Sequence, residues 1–113
     1  MITPSFDQDG YPTEETLEAI TTWPIRNNGN IAELLAFVDA AWRYKPFAIR
    51  TEGEGRERYI YCATGGWSGN ESIIGALEEN RMFWLLCWLE SQRGGGYKFL
   101  THPINETKTS QSA

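Results

Sequence analysis

The longest apolar run of the chain is MFWLLCWL, from Met82 to Leu89, and it limits the folds that this sequence can adopt. The run is far shorter than the ~20 residues that a membrane-spanning helix needs, so no membrane segment is predicted. A surface helix carries a polar face, and this run has none. A strand that is buried on both faces accommodates it, and we therefore predict a strand over residues 82–89.

An alternative for this region is one long helix from Asn70 to Gln92, because neither Pro nor Gly interrupts the segment after Gly75. The sequence ENR (Glu79–Arg81) is a stop signal that favours two separate elements. We expect a short helix capped by Asn70, then the strand, which turns at QRGGG (Gln92–Gly96) into a partner strand, YKFLT.

Two helices and a hairpin are predicted before this region. Thr13 caps the first helix, which ends near Thr22, and Asn30 caps the second, with Glu33 at the capping-box position. The segment that follows predicts two strands, 47–51 and 56–64, joined by an EGEG turn. In the second strand, alternation places Tyr59, Tyr61 and Ala63 on one face and Ile60 and Cys62 on the other.

The order helix, helix, strand, strand, helix, strand, strand predicts an α+β fold, with a mainly antiparallel four-stranded sheet and helices mostly on one face. A length of 113 residues fits one domain. We assign residues 1–102 to that domain. Residues 103–113 hold few apolar side chains, and we expect them to form a disordered tail.

Charge and cysteine content argue against several functions. The chain has 10 Lys plus Arg against 15 Asp plus Glu, and this net charge of -5 disfavours binding to nucleic acid. The N-terminal residues have neither the basic nor the apolar region of a signal peptide, so a cytoplasmic location is expected. Cys62 and Cys87 lie in apolar runs, where two buried thiols are favoured over a disulfide.

No catalytic or metal-binding group is predicted. His102 is the single histidine of the chain, and one His with two cysteines in apolar runs does not form a metal cluster. The segment Gly66–Gly69 lacks one residue of the G-x-S-x-G spacing of a nucleophile elbow, although a hydrolase that uses Ser68 stays an alternative. We therefore predict a protein that is not an enzyme and has no cofactor.

The stretch ATGGWSGNES, residues 63–72, is the candidate binding site. Its glycines allow the backbone to approach a ligand closely. It leads into a helix N-terminus that attracts anions, and its Trp offers a stacking face. It matches neither the Walker nor the dinucleotide-binding pattern. The alternative is a plain strand-to-helix corner. The candidate residues are Gly65, Gly66, Trp67, Ser68, Gly69, Asn70, Glu71, Arg81 and Arg93.

The tryptophans of the apolar run form a second candidate. In a strand, Trp84 and Trp88 share one face. Either both belong to the core, or they line an apolar groove beside Trp67 with Arg81 and Arg93 at its ends. An exposed arrangement would be a protein-binding patch or a stacking site.

Three segments resemble a group of short hypothetical proteins of phages and prophages: Gly10–Pro24, Thr64–Leu77 and Asn80–Phe99. The shared features are GWSGNE, the Trp-rich run and Arg-Gly-Gly before an aromatic residue. A histidine is expected in this group where the present chain has Gly96. The resemblance carries over no activity and no catalytic residue.

The resemblance implies that the protein works inside a host cell, where small acidic phage proteins commonly act by binding a host protein or a small nucleotide signal. We expect a non-enzymatic accessory protein that binds a host protein in the cytoplasm, for example a counter-defence inhibitor. The alternative is a binder of a small anionic, nucleotide-like ligand at the GGWSGNE loop. A homodimer formed through an exposed sheet face is a further alternative.

Overall fold

The structure is a computed structural model that describes residues 2–43, 54 and 58–105. Within these residues it has an α+β architecture with four helices and three strands. In chain order they are α1 (Glu14–Thr21), α2 (Asn28–Ala41), β1 (Tyr59–Ala63), α3 (Ser68–Glu79), α4 (Arg81–Cys87), β2 (Trp88–Gln92) and β3 (Gly96–Leu100). The predicted α+β class is confirmed.

The sheet is antiparallel, with β3 in the centre and the order β1-β3-β2. The predicted turn before YKFLT is present, and Gly94 and Gly95 adopt the positive φ that this tight β2–β3 connection requires. The described sheet has three strands rather than the predicted four. The predicted strand 47–51 and its EGEG turn fall outside the described residues, except for Glu54.

The strand predicted over 82–89 is wrong. Residues 81–87 form α4, and the chain becomes a strand only at Trp88. The helix starts because the Oδ1 atom of Asn80 accepts a hydrogen bond from the Phe83 amide at 3.1 Å. Phe83 and Cys87, one turn apart, are buried, whereas Leu85 points outward. The prediction failed because it required a surface helix to have a polar outer face.

Of the three helix N-caps that the sequence predicted, one is confirmed and two are wrong. Thr13 caps α1 as expected, since its hydroxyl accepts a hydrogen bond from the Thr16 amide at 3.2 Å. The cap predicted at Asn30 is wrong, because Asn27 caps α2 and accepts from the Asn30 amide at 2.8 Å. The cap predicted at Asn70 is also wrong, because α3 begins two residues earlier, at Ser68.

The core lies where the helices meet the buried face of the sheet. On β1 it takes Ile60 and Cys62, while Tyr59, Tyr61 and Ala63 are half-buried on the other face, as the alternation predicted. The fully buried apolar side chains of the core include Ile20, Ile31, Leu34, Val38, Ile73, Leu77, Phe83 and Phe99.

The C-terminal end of the described chain contacts the start of α2. The Asn28 side chain donates to the Ile104 carbonyl at 2.8 Å and accepts from the Ile104 amide at 3.1 Å. Ile104 also packs against the core. Across the described residues, no helix has both the length and the apolar character that crossing a membrane requires.

Candidate functional site

The glycine loop between β1 and α3 is held by the backbone and side chain of Thr64. The Thr64 hydroxyl accepts from the Gly66 amide at 3.2 Å, and the Thr64 carbonyl accepts from the Trp67 amide at 3.3 Å. Gly65 and Gly66 have φ values of 67° and 79°, which side-chain-bearing residues rarely adopt. The loop is therefore a tight strand-to-helix turn, and its positive φ values account for Gly65 and Gly66 without a ligand.

Asn70 uses its whole side-chain amide inside the fold. It is fully buried, and its Nδ2 donates to the carbonyls of Arg43 and Thr64 at 2.7 and 3.1 Å. Its Oδ1 accepts from the Arg43 amide at 3.1 Å. The side chain therefore joins the end of α2 to the end of β1, and its two donor hydrogens and its acceptor are engaged.

Trp67 lies across the first turn of α3. A Cβ atom placed on Gly69 would come within 2.2 to 2.5 Å of three carbons of the Trp67 ring, so any larger residue there would displace the ring. The ring also contacts Tyr11, at a centroid distance of 5.1 Å. The Ser68 hydroxyl donates to the Tyr11 hydroxyl at 3.5 Å. The predicted stacking face is thus partly covered by the N-terminal segment.

The predicted arginines lie at different places. Arg93 is in the β2–β3 turn, and this turn touches the glycine loop through a hydrogen bond of 3.0 Å from the Thr64 amide to the Gly95 carbonyl. Arg81 begins α4, beyond the far end of α3, whose 12 residues correspond to about 18 Å. Glu71 is exposed in the first turn of α3. The fold therefore brings the turn of Arg93, and not Arg81, to the loop.

A contiguous segment exposes four large apolar side chains. We define the α4–β2 patch as Met82, Leu85, Trp88 and Leu89, whose exposed fractions are 51%, 79%, 42% and 40%. Isolated apolar side chains are common on protein surfaces, whereas a group of exposed ones is typical of an interaction site. This patch replaces the buried strand that the sequence predicted.

The two tryptophans of this region have different environments. Trp84 is half-buried and meets Phe99 edge-on at 5.6 Å. Trp88 is exposed, stacks on Trp84 at 6.0 Å with an interplanar angle of 16°, and donates from Nε1 to the Ser91 hydroxyl at 2.9 Å. Trp84 therefore fixes Trp88 to the core, and the patch has a rigid aromatic member.

The patch continues onto an edge strand. β2 is paired with β3 on one side, all five of its residues are exposed, and within the described residues no strand pairs with its outer edge. Glu90 lies in this strand and accepts from the Gln92 side chain at 2.6 Å. Such an edge offers backbone donors and acceptors to another chain.

Sequence reasoning kept an exposed patch at Trp84 and Trp88 only as an alternative and did not include Met82, Leu85 or Leu89, because it took unbroken apolarity as a sign of burial. The signal was present in the sequence: an all-apolar helix that packs one side on the core must expose the other side. Asn80 is the second residue whose role was missed. It is buried, caps α4, and donates from Nδ2 to the carbonyls of Ile20 and Trp23 at 2.9 and 3.0 Å.

The cysteines and the histidine lie apart from these surfaces. Cys62 and Cys87 are free and buried, and burial raises the pKa of each thiol to about 12, so neither is a nucleophile at neutral pH. His102 shares a hydrogen bond of 2.7 Å between its Nδ1 and the Thr101 hydroxyl. In the part of the chain that is described, no group of three or more His, Cys, Asp or Glu could hold a metal ion.

Comparison of this chain with protein-family models, curated proteins and solved structures found no match.

Proposed function

We propose that this chain is a non-enzymatic binding protein that docks another protein through the α4–β2 patch. The observation that carries the proposal is the exposure of Met82, Leu85, Trp88 and Leu89 on adjacent elements. Exposed apolar patches rimmed by polar residues are typical of protein interaction sites, and Trp is enriched among the residues that dominate binding energy. The fixed position of Trp88 lowers the entropy cost of docking.

The resemblance to phage and prophage proteins suggests a host-cell protein as the partner. An accessory protein of this kind would act in the host cytoplasm, for example as a counter-defence inhibitor. The net charge of -5 favours a protein partner over nucleic acid, because it opposes approach to a phosphate backbone. The patch is apolar, and Arg81 and Glu90 border it along the chain, so both signs of charge are available at its rim.

The alternative is a small anionic, nucleotide-like ligand at the glycine loop. The position of the Arg93 turn against Thr64 supports it, since a guanidinium there could contact phosphate. The engaged amide of Asn70 and the Tyr11 contact of Trp67 argue against it. Arg93→Ala would abolish binding of a nucleotide under this alternative and would leave protein capture through the patch unchanged.

The test compares host proteins captured by three immobilised forms: the wild-type chain, Leu85→Glu and Ala32→Glu. Leu85 is exposed, so a carboxylate is tolerated there without unfolding, but it would have to be desolvated in an apolar interface. We expect a partner that the wild type retains and that Leu85→Glu loses by more than tenfold.

Ala32→Glu is the matched control, because Ala32 is exposed on α2 and the change adds the same charge in a helix. It should retain the partner as the wild type does. Equal capture by all three forms would contradict the proposal. Light scattering on the same forms addresses the homodimer: a dimer that Leu85→Glu converts to a monomer would make a second copy the occupant of the patch.

A further inference from the structure

A groove on another part of the surface runs between α1 and α2. Residues 2–4 close one side of it, and Trp23 and Phe37, whose rings are 5.1 Å apart, lie among its lining residues. Its volume is about 720 Å³, and most of its lining is apolar. This falls in the range of about 300–1,000 Å³ that is usual for binding clefts. None of its lining residues belongs to the α4–β2 patch.

The groove has the length of a short helix. Along α2 its lining extends from Asn30 to Ala40, ten residues apart, which corresponds to about 15 Å. A helix of about ten residues has the same length, and its apolar side chains at every third or fourth position would lie along the groove. The small side chain of Ala40 leaves room for such an approach.

The helices on both sides of this groove carry acidic side chains in it or next to its lining residues. Glu33 lines it from α2, and Glu15 and Glu18 are exposed on α1, one helical turn before the lining residues Ala19 and Thr22. Neither helix contains a Lys, Arg or His. Among the described residues, Arg26 lies in the connection between the helices, and Arg43 follows α2 with its guanidinium 4.1 Å from the centre of the Phe6 ring.

We propose that this groove binds an amphipathic helix of a partner protein, with apolar side chains against Trp23 and Phe37 and Lys or Arg side chains beside Glu15, Glu18 and Glu33. Apolar burial supplies affinity, and the carboxylates select a basic helix over an acidic one. The inference is independent of the α4–β2 patch. Either surface can therefore fail its test without affecting the other.

The test uses a fluorescein-labelled peptide of about 15 residues, long enough to form a marginally stable helix, with Leu at helical spacing and Lys elsewhere. Its affinity for the folded chain is measured by anisotropy, next to a peptide in which every Lys is replaced by Glu. We expect the basic peptide to bind at least tenfold more tightly, and the difference to shrink as salt rises. Equal binding of both peptides, or no binding of the basic one, would overturn the proposal.

Two pairs of variants locate the binding. Ala40→Arg fills the groove with a long cationic side chain, while Ala32→Arg makes the same change at an exposed position of α2 that does not line it. Glu33→Gln and Asp39→Asn each remove one exposed α2 carboxylate, and only Glu33 lines the groove. We expect Ala40→Arg to weaken binding at least tenfold and Glu33→Gln several-fold, with both controls within twofold of the wild type. Equal effects within each pair would show non-specific attraction to an acidic surface and would refute the groove.

Discussion

Asn70 and Asn80 lie at opposite ends of α3 and join elements that are distant in the sequence. Each is buried and hydrogen-bonded to backbone atoms: Asn70 to Arg43 and Thr64, and Asn80 to Ile20, Trp23 and Phe83. The sequence marked Asn70 as a cap or ligand, and placed Asn80 in a stop signal. It could not show that their partners lie up to 60 residues away, because such contacts exist only in the fold.

At Asn80, two substitutions separate the capping of α4 from the hydrogen bonds to the Ile20 and Trp23 carbonyls. Asn80→Ala removes both functions and leaves buried carbonyls without donors, so we expect a loss of about 2–4 kcal/mol in the free energy of unfolding. Asn80→Asp keeps an acceptor for the Phe83 amide but removes the donors to Ile20 and Trp23, and should also cost about 2 kcal/mol or more. Denaturant unfolding measures both. A fully stable Asn80→Asp variant would mean that only the cap matters.

Two glycines of α3 provide a matched pair. Gly→Ala inside a helix ordinarily stabilises by about 0.5–1 kcal/mol, and Gly75→Ala should do so, because a Cβ there meets nothing within 4 Å. Gly69→Ala should instead destabilise by about 1–3 kcal/mol, since the Trp67 ring must move away and lose Tyr11. Denaturation of both variants, with tryptophan fluorescence as the signal, checks this. Equal stabilisation by the two substitutions would contradict the position of Trp67.

The buried thiols predict a fall in stability at alkaline pH. The pKa of Cys62 and of Cys87 is raised by burial to about 12, against 9.0 for an unperturbed thiol. Well below pH 9 both the folded and the unfolded chain keep these protons. Above it the unfolded chain ionises first, so the free energy of unfolding falls by up to about 1.4 kcal/mol per pH unit per thiol until the folded thiols titrate. Denaturant unfolding between pH 7 and pH 11 measures this slope.

The control for this measurement is the double variant Cys62→Ala, Cys87→Ala. At neutral pH it is less stable than the wild type because of the cavities, but its slope above pH 9 should be shallower than that of the wild type. Identical slopes would contradict the assignment of the alkaline loss to these thiols.

At the scale of elements, local signals predicted α1, β1, β3 and the β2–β3 turn. They failed where one pattern allows two structures: short apolar runs are ambiguous between strand and helix, and the run from Met82 contains both. The N-cap of α2 was equally ambiguous, because the segment NNGN (residues 27–30) contains three asparagines that could cap the helix. The Asn28–Ile104 hydrogen bonds, 76 residues apart, are absent from any local pattern.

The candidate site was only partly predictable. The glycine loop was located correctly as a strand-to-helix connection, but whether it binds a ligand stays a prediction. The α4–β2 patch was anticipated only as an alternative at Trp84 and Trp88, because sequence patterns show which side chains are apolar and not which ones the rest of the chain leaves uncovered. Its recognition needed the packing of Phe83 and Cys87, which fixes the outward direction of Leu85.

At the scale of the whole molecule, the two proposed docking surfaces differ in chemistry. One is the apolar α4–β2 patch on an edge strand, and the other is the groove between the acidic helices α1 and α2. Taken together, the two proposals imply a protein that holds two segments of one partner or joins two partners. The variants at Leu85 and Ala40 separate these surfaces experimentally.

The most direct test of the central claim is native mass spectrometry of the chain purified from host cells, for the wild type and Leu85→Glu. The account predicts that the wild-type 12.9 kDa chain carries a protein mass that Leu85→Glu loses. A bare 12.9 kDa chain in both forms, or a small ligand retained by both, would contradict it.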